Sequence, residues 1–541
     1  MQALTHTQIA QRLDLLTEVS VALGNSPDTG TLLDRILSIA KTMTNADGGT
    51  LYRPDETGQC LNFSISINDS LGIYQGGASG KPIDIPGVPL FDAQGNRNLS
   101  SVAAYAANFG QSVNIEDVYK ADVFNFSGMR SFDKAFNYHS QSFLTVPMND
   151  HEGELVGVLQ LINARDPEDG KITAFSATDQ RFIEALAAQA AVAITNQHLV
   201  LQLEELLEAL VNLINIGIDE KSPYTGRHCQ FVPELTMMLA EAVHEASTGP
   251  MAGFRMDEAD RKELWLAGLL HDCGKITTPV HVVDKATKME TIFDRIHMID
   301  TRFEVLMRDC EIRALREKCA GGAGVDHAAI DARLASEVAQ LRADREFLRI
   351  ANVGGEGMAP ADQDRVRAIA KYRWVGVDGE ERNFLDDDEE LNLTIRFGTL
   401  TEAERKVINN HISVTIKMLE SLPWPKHLEN VPEYAGGHHE RMDGKGYPRG
   451  LTKSQMSVQA RIMAIADIFE ALTARDRPYK KGKMLTESLR ILGQFALNGH
   501  IDPDLFDIFI RSKIYLEFAR KNMDERQIDE VVEADIPGYT P

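Results

Sequence analysis

Cysteine is scarce in this chain: Cys60, Cys229, Cys273, Cys310 and Cys319 are all there is in 541 residues. No two form a CxxC pair, and five give no even framework. This argues against a disulfide-stapled fold and places the protein in a reducing cytoplasm. Long hydrophobic runs are missing too. No stretch approaches the ~18 apolar residues of a membrane span, and no basic region followed by an apolar core opens the chain. Positive charge is short: 56 Lys and Arg face 80 Asp and Glu, a net charge of −24. Binding to a phosphate backbone runs on Lys and Arg, so a nucleic-acid polymer is not the expected partner. A small anionic ligand stays open, because local cations can override the global field. What remains is ordinary. Hydrophobic residues make up 43% and charged residues 25%, the composition of a globular chain with ample core, and the length suggests three or four units.

Residues 1–178 alternate helical and strand patterns. Helices are expected around Ile9–Leu23 and Thr31–Met43, the second opened by Thr29 or Asp28. Strands are expected at Gly49–Tyr52, Asn62–Ile67, Ser142–Met148 and Leu155–Ile162, with Asp150-His151-Glu152-Gly153 turning the last two into a hairpin. Two helices flanking an antiparallel sheet, with the strand Leu-Val-Gly-Val-Leu-Gln-Leu-Ile-Asn at 155–163, resemble a GAF domain. Asn163, Phe175 and Asp179 match part of the motif of cyclic-nucleotide-binding members. Ala164 and Gln180 depart from it, so the resemblance implies the fold with an unknown small ligand.

Residues 179–222 read as one linker helix. Leu199, Leu203, Leu206, Leu210 and Leu213 are spaced 4, 3, 4 and 3, the seam of a coiled coil. The alternative is a helix packed on its own domain. The seam outruns the sensor fold and joins two domains, which favours a parallel homodimer through 199–213.

Three segments carry chemistry. His438-His439-Glu440-Arg441-Met442-Asp443-Gly444-Lys445-Gly446-Tyr447-Pro448 sets two imidazoles and a carboxylate before a turn rich in Gly and Pro. An apolar helix, Leu264–Leu270, runs into His271-Asp272-Cys273-Gly274-Lys275. Asp467 is the one acid in Arg461–Phe469, which is otherwise apolar from Ile462 on. A buried carboxylate without a partner is very costly, so Asp467 requires a cation. Together the segments describe a multinuclear metal site. Two cations about 3.5–4 Å apart bring the pKa of bound water to about 7 and clamp phosphoryl oxygens.

The His271-Asp272 pair, the HHExxDGxGYP run at 438–448 and Arg477-Pro478-Tyr479 resemble the HD-GYP family of cyclic-dinucleotide phosphodiesterases. The likeness runs from about Tyr224 to Phe518 with one interruption. It implies an all-α metallohydrolase at 223–520 that opens cyclic di-GMP to pGpG and perhaps then GMP, using two divalent ions, iron or manganese; ligand chemistry alone also admits zinc or nickel. It implies His228, His271, Asp272, His411, His438, His439 and Asp467 as metal ligands, with Asp272 bridging, His228, His271 and Asp467 serving one metal and His411, His438 and His439 the other. Asp272, Lys275 and Glu440 are the expected catalytic residues, although Glu440 can equally be an outer acceptor. Lys275, three residues after Asp272, would lie beside the scissile phosphate. Gly444 and Gly446 would allow close approach to a phosphate, Tyr447 would meet a guanine, and Arg477 and Lys480 would bind phosphates. Cys273 is read as structural. Tyr224 stands where some members offer a third metal a Glu, and Phe231 where the family often has Arg; two metals are therefore expected.

His411 lies 140 residues after His271, farther than the resemblance implies. His297 competes with it, but Leu400–His411 fits the pattern better and leads directly to the HHE segment. A helical-hairpin insertion is therefore placed at 298–397 and a tail at 521–541. Two alternatives remain: hydrolysis of cyclic GMP-AMP by the same pocket, or a non-catalytic adaptor that binds nucleotide or protein partners. The full ligand set argues against the adaptor.

Overall fold

The computed structural model describes residues 28–221, 227–355, 357–475 and 482–541. The helix expected at Ile9–Leu23 lies outside them. The chain divides into two units, residues 1–207 and 208–541. Among the described residues no helix is long and apolar enough to cross a membrane.

In the first unit, α1 (Thr29–Thr44) starts where Asp28 accepts a 2.9 Å bond from the Thr31 amide. It leads into an antiparallel sheet ordered β3-β2-β1-β7-β6-β5. The strands are β1 (Ala46–Pro54), β2 (Cys60–Asn68), β3 (Ile73–Gly76), β5 (Val113–Ile115), β6 (Phe143–Asn149) and β7 (Leu155–Arg165), with short β4 (Val88–Pro89) beside β2 and β8 (Ile172–Thr173) beside β7. The strands expected from sequence fall on β1, β2, β6 and β7. Asp150 closes the β6–β7 hairpin by accepting from the Glu152 and Glu154 amides, both at 2.9 Å. Side chains alternate across each strand. Leu51, Ile65, Leu144, Leu159 and Leu161 therefore pack on one face against Ile36 and Leu37 of α1 and Ile183, Leu186 and Ala190 of α4 (Ala177–Lys221). The other face meets α2 (Val102–Phe109) and α3 (Ser127–Phe136) through separate apolar clusters.

The three residues matched to the nucleotide motif are committed to the fold. Asn163 Oδ1 accepts from the Gln141 and Ser142 amides at 2.7 and 3.3 Å, and its Nδ2 donates to the His139 carbonyl at 2.8 Å. Phe175 belongs to the core. Asp179 accepts from Ser176 N and Oγ, at 2.9 and 2.7 Å, in the turn that opens α4.

Helix α4 runs over 45 residues, Ala177–Lys221, against the 179–222 expected. In its last turns Val211 and Ile218 are buried while Leu206, Leu210 and Leu213 stay 65, 43 and 63% exposed. Among the described residues the leucine seam is thus left exposed.

The second unit is helical: α5 (His228–Glu245), α6 (Glu258–Leu270), the short α7 (Val280–Val283), then an inserted body, then α12 (Glu402–Glu420), α13 (Val431–Gly436), α14 (Val458–Thr473), α15 (Leu485–Leu497), α16 (Pro503–Arg511) and α17 (Ile514–Asn522). The inserted body is more than the helical hairpin expected. It has α8 (Ile296–Ala320), α9 (His327–Asn352), α10 (Pro360–Ala370), a ribbon of β9 (Arg373–Val375) and β10 (Glu381–Asn383), and α11 (Asp387–Leu393). Its own apolar cluster begins at Met289, ahead of 298, and ends at Leu393. Helical periodicity reveals the long α8 and α9, but a three-residue strand leaves no periodic trace. At its root, buried Lys285 donates to Glu404 Oε1 and Oε2 at 2.8 and 2.9 Å and to Asn392 Oδ1 at 2.9 Å. Residues 521–541 are folded as well: Ile536 is buried, and Gln527 donates to the carbonyls of Thr473 and Lys483, both at 3.0 Å.

Candidate metal centre

The seven expected ligands come from five helices. His228 opens α5, His271 and Asp272 follow the last turn of α6, His411 sits inside α12, His438 and His439 follow α13, and Asp467 lies inside α14. Gly274 lets these elements close up. A Cβ there would come within 2.0 Å of the His411 carbonyl and 2.6 Å of the Thr415 amide, and its own N–H donates to Thr415 Oγ1 at 2.9 Å. A side chain at 274 would push the Asp272 turn off the helix that carries His411.

The imidazoles are oriented by their rear nitrogens. Nδ1 of His271 lies 2.7 Å from the Gly268 carbonyl, that of His411 2.5 Å from the Ile408 carbonyl, and that of His438 2.6 Å from the Ala435 carbonyl. A carbonyl only accepts, so each Nδ1 carries the proton and each Nε2 keeps its lone pair. Those Nε2 atoms converge. His228 and His271 are 3.2 Å apart, and His411 and His439 3.3 Å. Asp272 joins the two pairs: Oδ2 is 3.1 and 3.3 Å from His228 and His271, and Oδ1 is 3.1 Å from His411. Asp467 Oδ1 is 3.2 Å from His228 Nε2. His438 packs edge-on to His271, with ring centroids 4.9 Å apart, and 4.2 Å from His439. Two groups of ligand atoms result, His228-His271-Asp272 and His411-His438-His439, each within 4.8 Å.

Electrostatics agree with a cation site. Burial raises the Asp272 carboxyl, but Lys275 and the imidazoles of His271 and His228 outweigh it and hold the group well below the usual range. Asp467 behaves alike under His228, His438 and His439. Burial, with neighbouring imidazoles, keeps His438 well below its ordinary value, and burial brings His439 down to about 4. Two ionised carboxylates beside the neutral imidazoles of His438 and His439 are a donor set that divalent ions bind. His438 Nε2 is buried with no hydrogen-bond partner among the described residues, an unpaired lone pair whose cost a metal removes. The residues fit divalent cations, with His228, His271 and Asp272 in one group of donors and His411, His438 and His439 in the other.

One participant was missed in the sequence. Glu470, buried one turn after Asp467, lies 2.5 Å from His228 Nδ1 through Oε2. Its carboxylate fixes the tautomer that turns His228 Nε2 inward, the outer partner that metal-binding imidazoles usually have. Burial lowers the His228 value, yet Glu470, Asp272 and Asp467 raise it well above the ordinary one. A second acid on the apolar face of α14, three residues from the first, was the available signal.

Lys275 Nζ reaches Asp272 Oδ2 at 2.5 Å. Glu440 is buried beside the two imidazoles. Its Oε1 and Oε2 accept from the Arg449 and Leu451 amides at 2.7 and 2.9 Å, so it braces the turn that follows the two imidazoles. Gly444 has φ of 73°, and the close approach at Gly446 is to the chain itself, since a Cβ would meet Arg441 N at 2.4 Å and Glu440 Cα at 2.5 Å. Tyr447 stacks on His439, centroids 4.9 Å apart at 23°. Arg477, Lys480 and Tyr224 lie outside the described residues. His297 is exposed, 3.9 Å from Asp300, and has no part in the cluster.

Family profiles match in three places: GAF domain at residues 28–194, and HD domain at 225–315 and again at 388–505. The chain carries a GAF domain followed by an HD domain. The stretch between the two HD matches, residues 316–387, falls within the inserted body. A cyclic di-GMP phosphodiesterase of Pseudomonas aeruginosa is 38% identical over 115 residues, 21% of this chain and 27% of its own length. A 3'3'-cGAMP-specific phosphodiesterase of Vibrio cholerae is 45% identical over 118 residues, 21% of this chain and 26% of its own. The chain thus spans about a quarter of these relatives. The GAF domain of an Acinetobacter phosphoenolpyruvate-protein phosphotransferase aligns with 35% of this chain and 96% of its own at 19% identity, TM-score 0.26.

Proposed function

We propose that the HD domain is a metal-dependent phosphodiesterase that hydrolyses cyclic di-GMP to pGpG, and then GMP, under the control of the GAF domain. The observation that carries this reading is the link made by Asp272, one oxygen toward His228 and His271 and the other toward His411. Two divalent ions held there, iron or manganese, supply a water nucleophile at neutral pH and offset charge on the phosphoryl group. The chain's own groups do the rest. Lys275, 21% exposed beside Asp272, offers an ammonium to a phosphate oxygen. The ring of Tyr447, stacked on His439, sets an aromatic face beside the ligand group. Arg477 and Lys480 are assigned to the distal phosphate, with Gly444 and Gly446 shaping the turn. A second substrate, 3'3'-cyclic GMP-AMP, is favoured by the 45% identity to a relative named for it.

The test is turnover of both dinucleotides by the purified full chain loaded with manganese or iron, followed by chromatography. Asp272→Ala should abolish turnover and lower the metal content. A variant retaining two equivalents of metal and normal rates refutes the assignment, as does a fully metallated wild type that cleaves neither dinucleotide.

A further inference from the structure

The outer face of the GAF sheet carries a row of uncharged polar side chains. Strand register sets Gln75 opposite Ser66, Ser66 opposite Thr50, Thr50 opposite Gln160 and Gln160 opposite Thr145. Residues directly opposite share a face, so the row crosses five strands, while Leu51, Ile65 and Leu159 point to the helices behind. Gln75, Ser66, Thr50 and Gln160 of this row open on a cavity of about 550 Å³ walled by Phe63, Phe126, Phe132 and Phe143. No Asp, Glu, Lys, Arg or His is among the described residues that line it. Gln160, buried, is held by the Tyr52 hydroxyl on Oε1 at 3.1 Å and donates one N–H to Thr145 Oγ1 at 3.0 Å. That leaves its other N–H for a guest. The nearby charge of Asp47 is matched by Arg165 at 2.8 Å, Tyr138 at 2.6 Å and Ser70 at 2.8 Å, and Asp47 does not line the cavity.

We propose that this cavity binds an uncharged, flat aryl amide or heteroaromatic ligand whose polar edge meets Thr50 and Gln160, and that it discriminates against anionic nucleotides. The starts of α2 and α3 also line the cavity, and a helix N-terminus attracts anions. Both are occupied locally: Ser101 Oγ accepts from the Ala104 amide and Asn125 Oδ1 from the Ser127 amide. An exposed helix terminus gives an anion roughly fivefold in affinity. Stripping water from a charge with no cation in reach costs several powers of ten, so neutrality decides. The inference is independent of the hydrolase reading, because its readout is binding and not turnover.

Naphthalene-2-carboxamide and naphthalene-2-carboxylate differ in charge but little in shape, and each is titrated into the full chain by ligand-observed NMR with cyclic GMP as competitor. The amide should bind at least tenfold more tightly than the carboxylate, and cyclic GMP should not displace it. Thr50→Val removes one hydrogen-bonding group and should weaken the amide about three- to tenfold. Ser66→Lys adds a cation to the row and should reverse the order of the two probes. Equal or tighter binding of the carboxylate or cyclic GMP to the wild type overturns the proposal. So does an amide that fails to bind at millimolar concentration, or one indifferent to both substitutions in variants that retain the wild-type melting transition.

Discussion

Glu470 is the outer carboxylate on which His228 depends, and its removal gives a calculable effect. Glu470→Ala takes away the acceptor 2.5 Å from His228 Nδ1 inside a buried cluster. A hydrogen bond to a charged group contributes roughly 1.5–3 kcal/mol, and loss of an outer partner typically weakens metal binding about 10–100-fold. At about 1.4 kcal/mol per decade the two estimates coincide near 2 kcal/mol. The effect should be local, because Glu470 Oε2 holds the rear nitrogen of His228, a member of the His228-His271-Asp272 group and not of the His411-His438-His439 group. Manganese titrations of the full chain against a chelating fluorophore should therefore show one site weakened 10–100-fold and the other changed less than threefold. Glu470→Gln keeps a carbonyl that can accept from Nδ1 and should restore much of the affinity. Thr473→Val is the control: its hydroxyl bonds to the Phe469 and Glu470 carbonyls, so its loss disturbs packing beside the site without touching His228. Equal weakening of both metals, or unchanged binding with lowered stability, would refute the positioning role.

Three further outcomes are expected. His411→Ala should lose turnover and one equivalent of metal, whereas His297→Ala should stay within about twofold of wild type; steady-state kinetics with metal analysis decide it, and the reverse ranking refutes the domain map. Burial pushes the Lys288 ammonium down to about 8, and the difference from 10.5 corresponds to roughly 3 kcal/mol at 1.36 kcal/mol per pH unit. The unfolded chain holds that proton up to about 10.5, so wild type carries the full cost below pH 8 and sheds it as the pH rises from 8 to 10.5. Since Lys288→Met also forfeits the bond to the Leu393 carbonyl, it should stabilise the protein by about 1–3 kcal/mol at pH 7, a gain that shrinks toward pH 10 in denaturant titrations; a constant gain would contradict the burial argument. Charged residues at Leu206 and Leu210 should convert a dimer into monomers in light scattering, and a monomeric wild type at micromolar concentration would exclude the proposed stalk.

How much was legible follows from which interactions are local. Strand alternation, the turn at Asp150 and the apolar helix before His271 repeat at short range, so the GAF sheet and the helical second unit could be read directly. His271, Asp272, His438, His439 and Asp467 stood out because clustered imidazoles and lone acids in apolar helices are expensive without a cation, whereas His228 and His411 came from the family resemblance. Other features depend on residues far apart in the chain. That His411 and not His297 meets Asp272 is decided by Gly274 closing on the backbone of α12. That Glu440 braces a turn follows from where the amides of Arg449 and Leu451 fall. The part of Glu470 depends on α5 delivering His228 from 242 positions away, and the neutrality of the GAF cavity on the register of five strands. Sequence by itself determined which chemistry is present, since residue type and local spacing are written there. Only the tertiary structure decided which of those groups face one another, because hydrogen bonds and close packing act over a few ångströms whatever the separation along the chain.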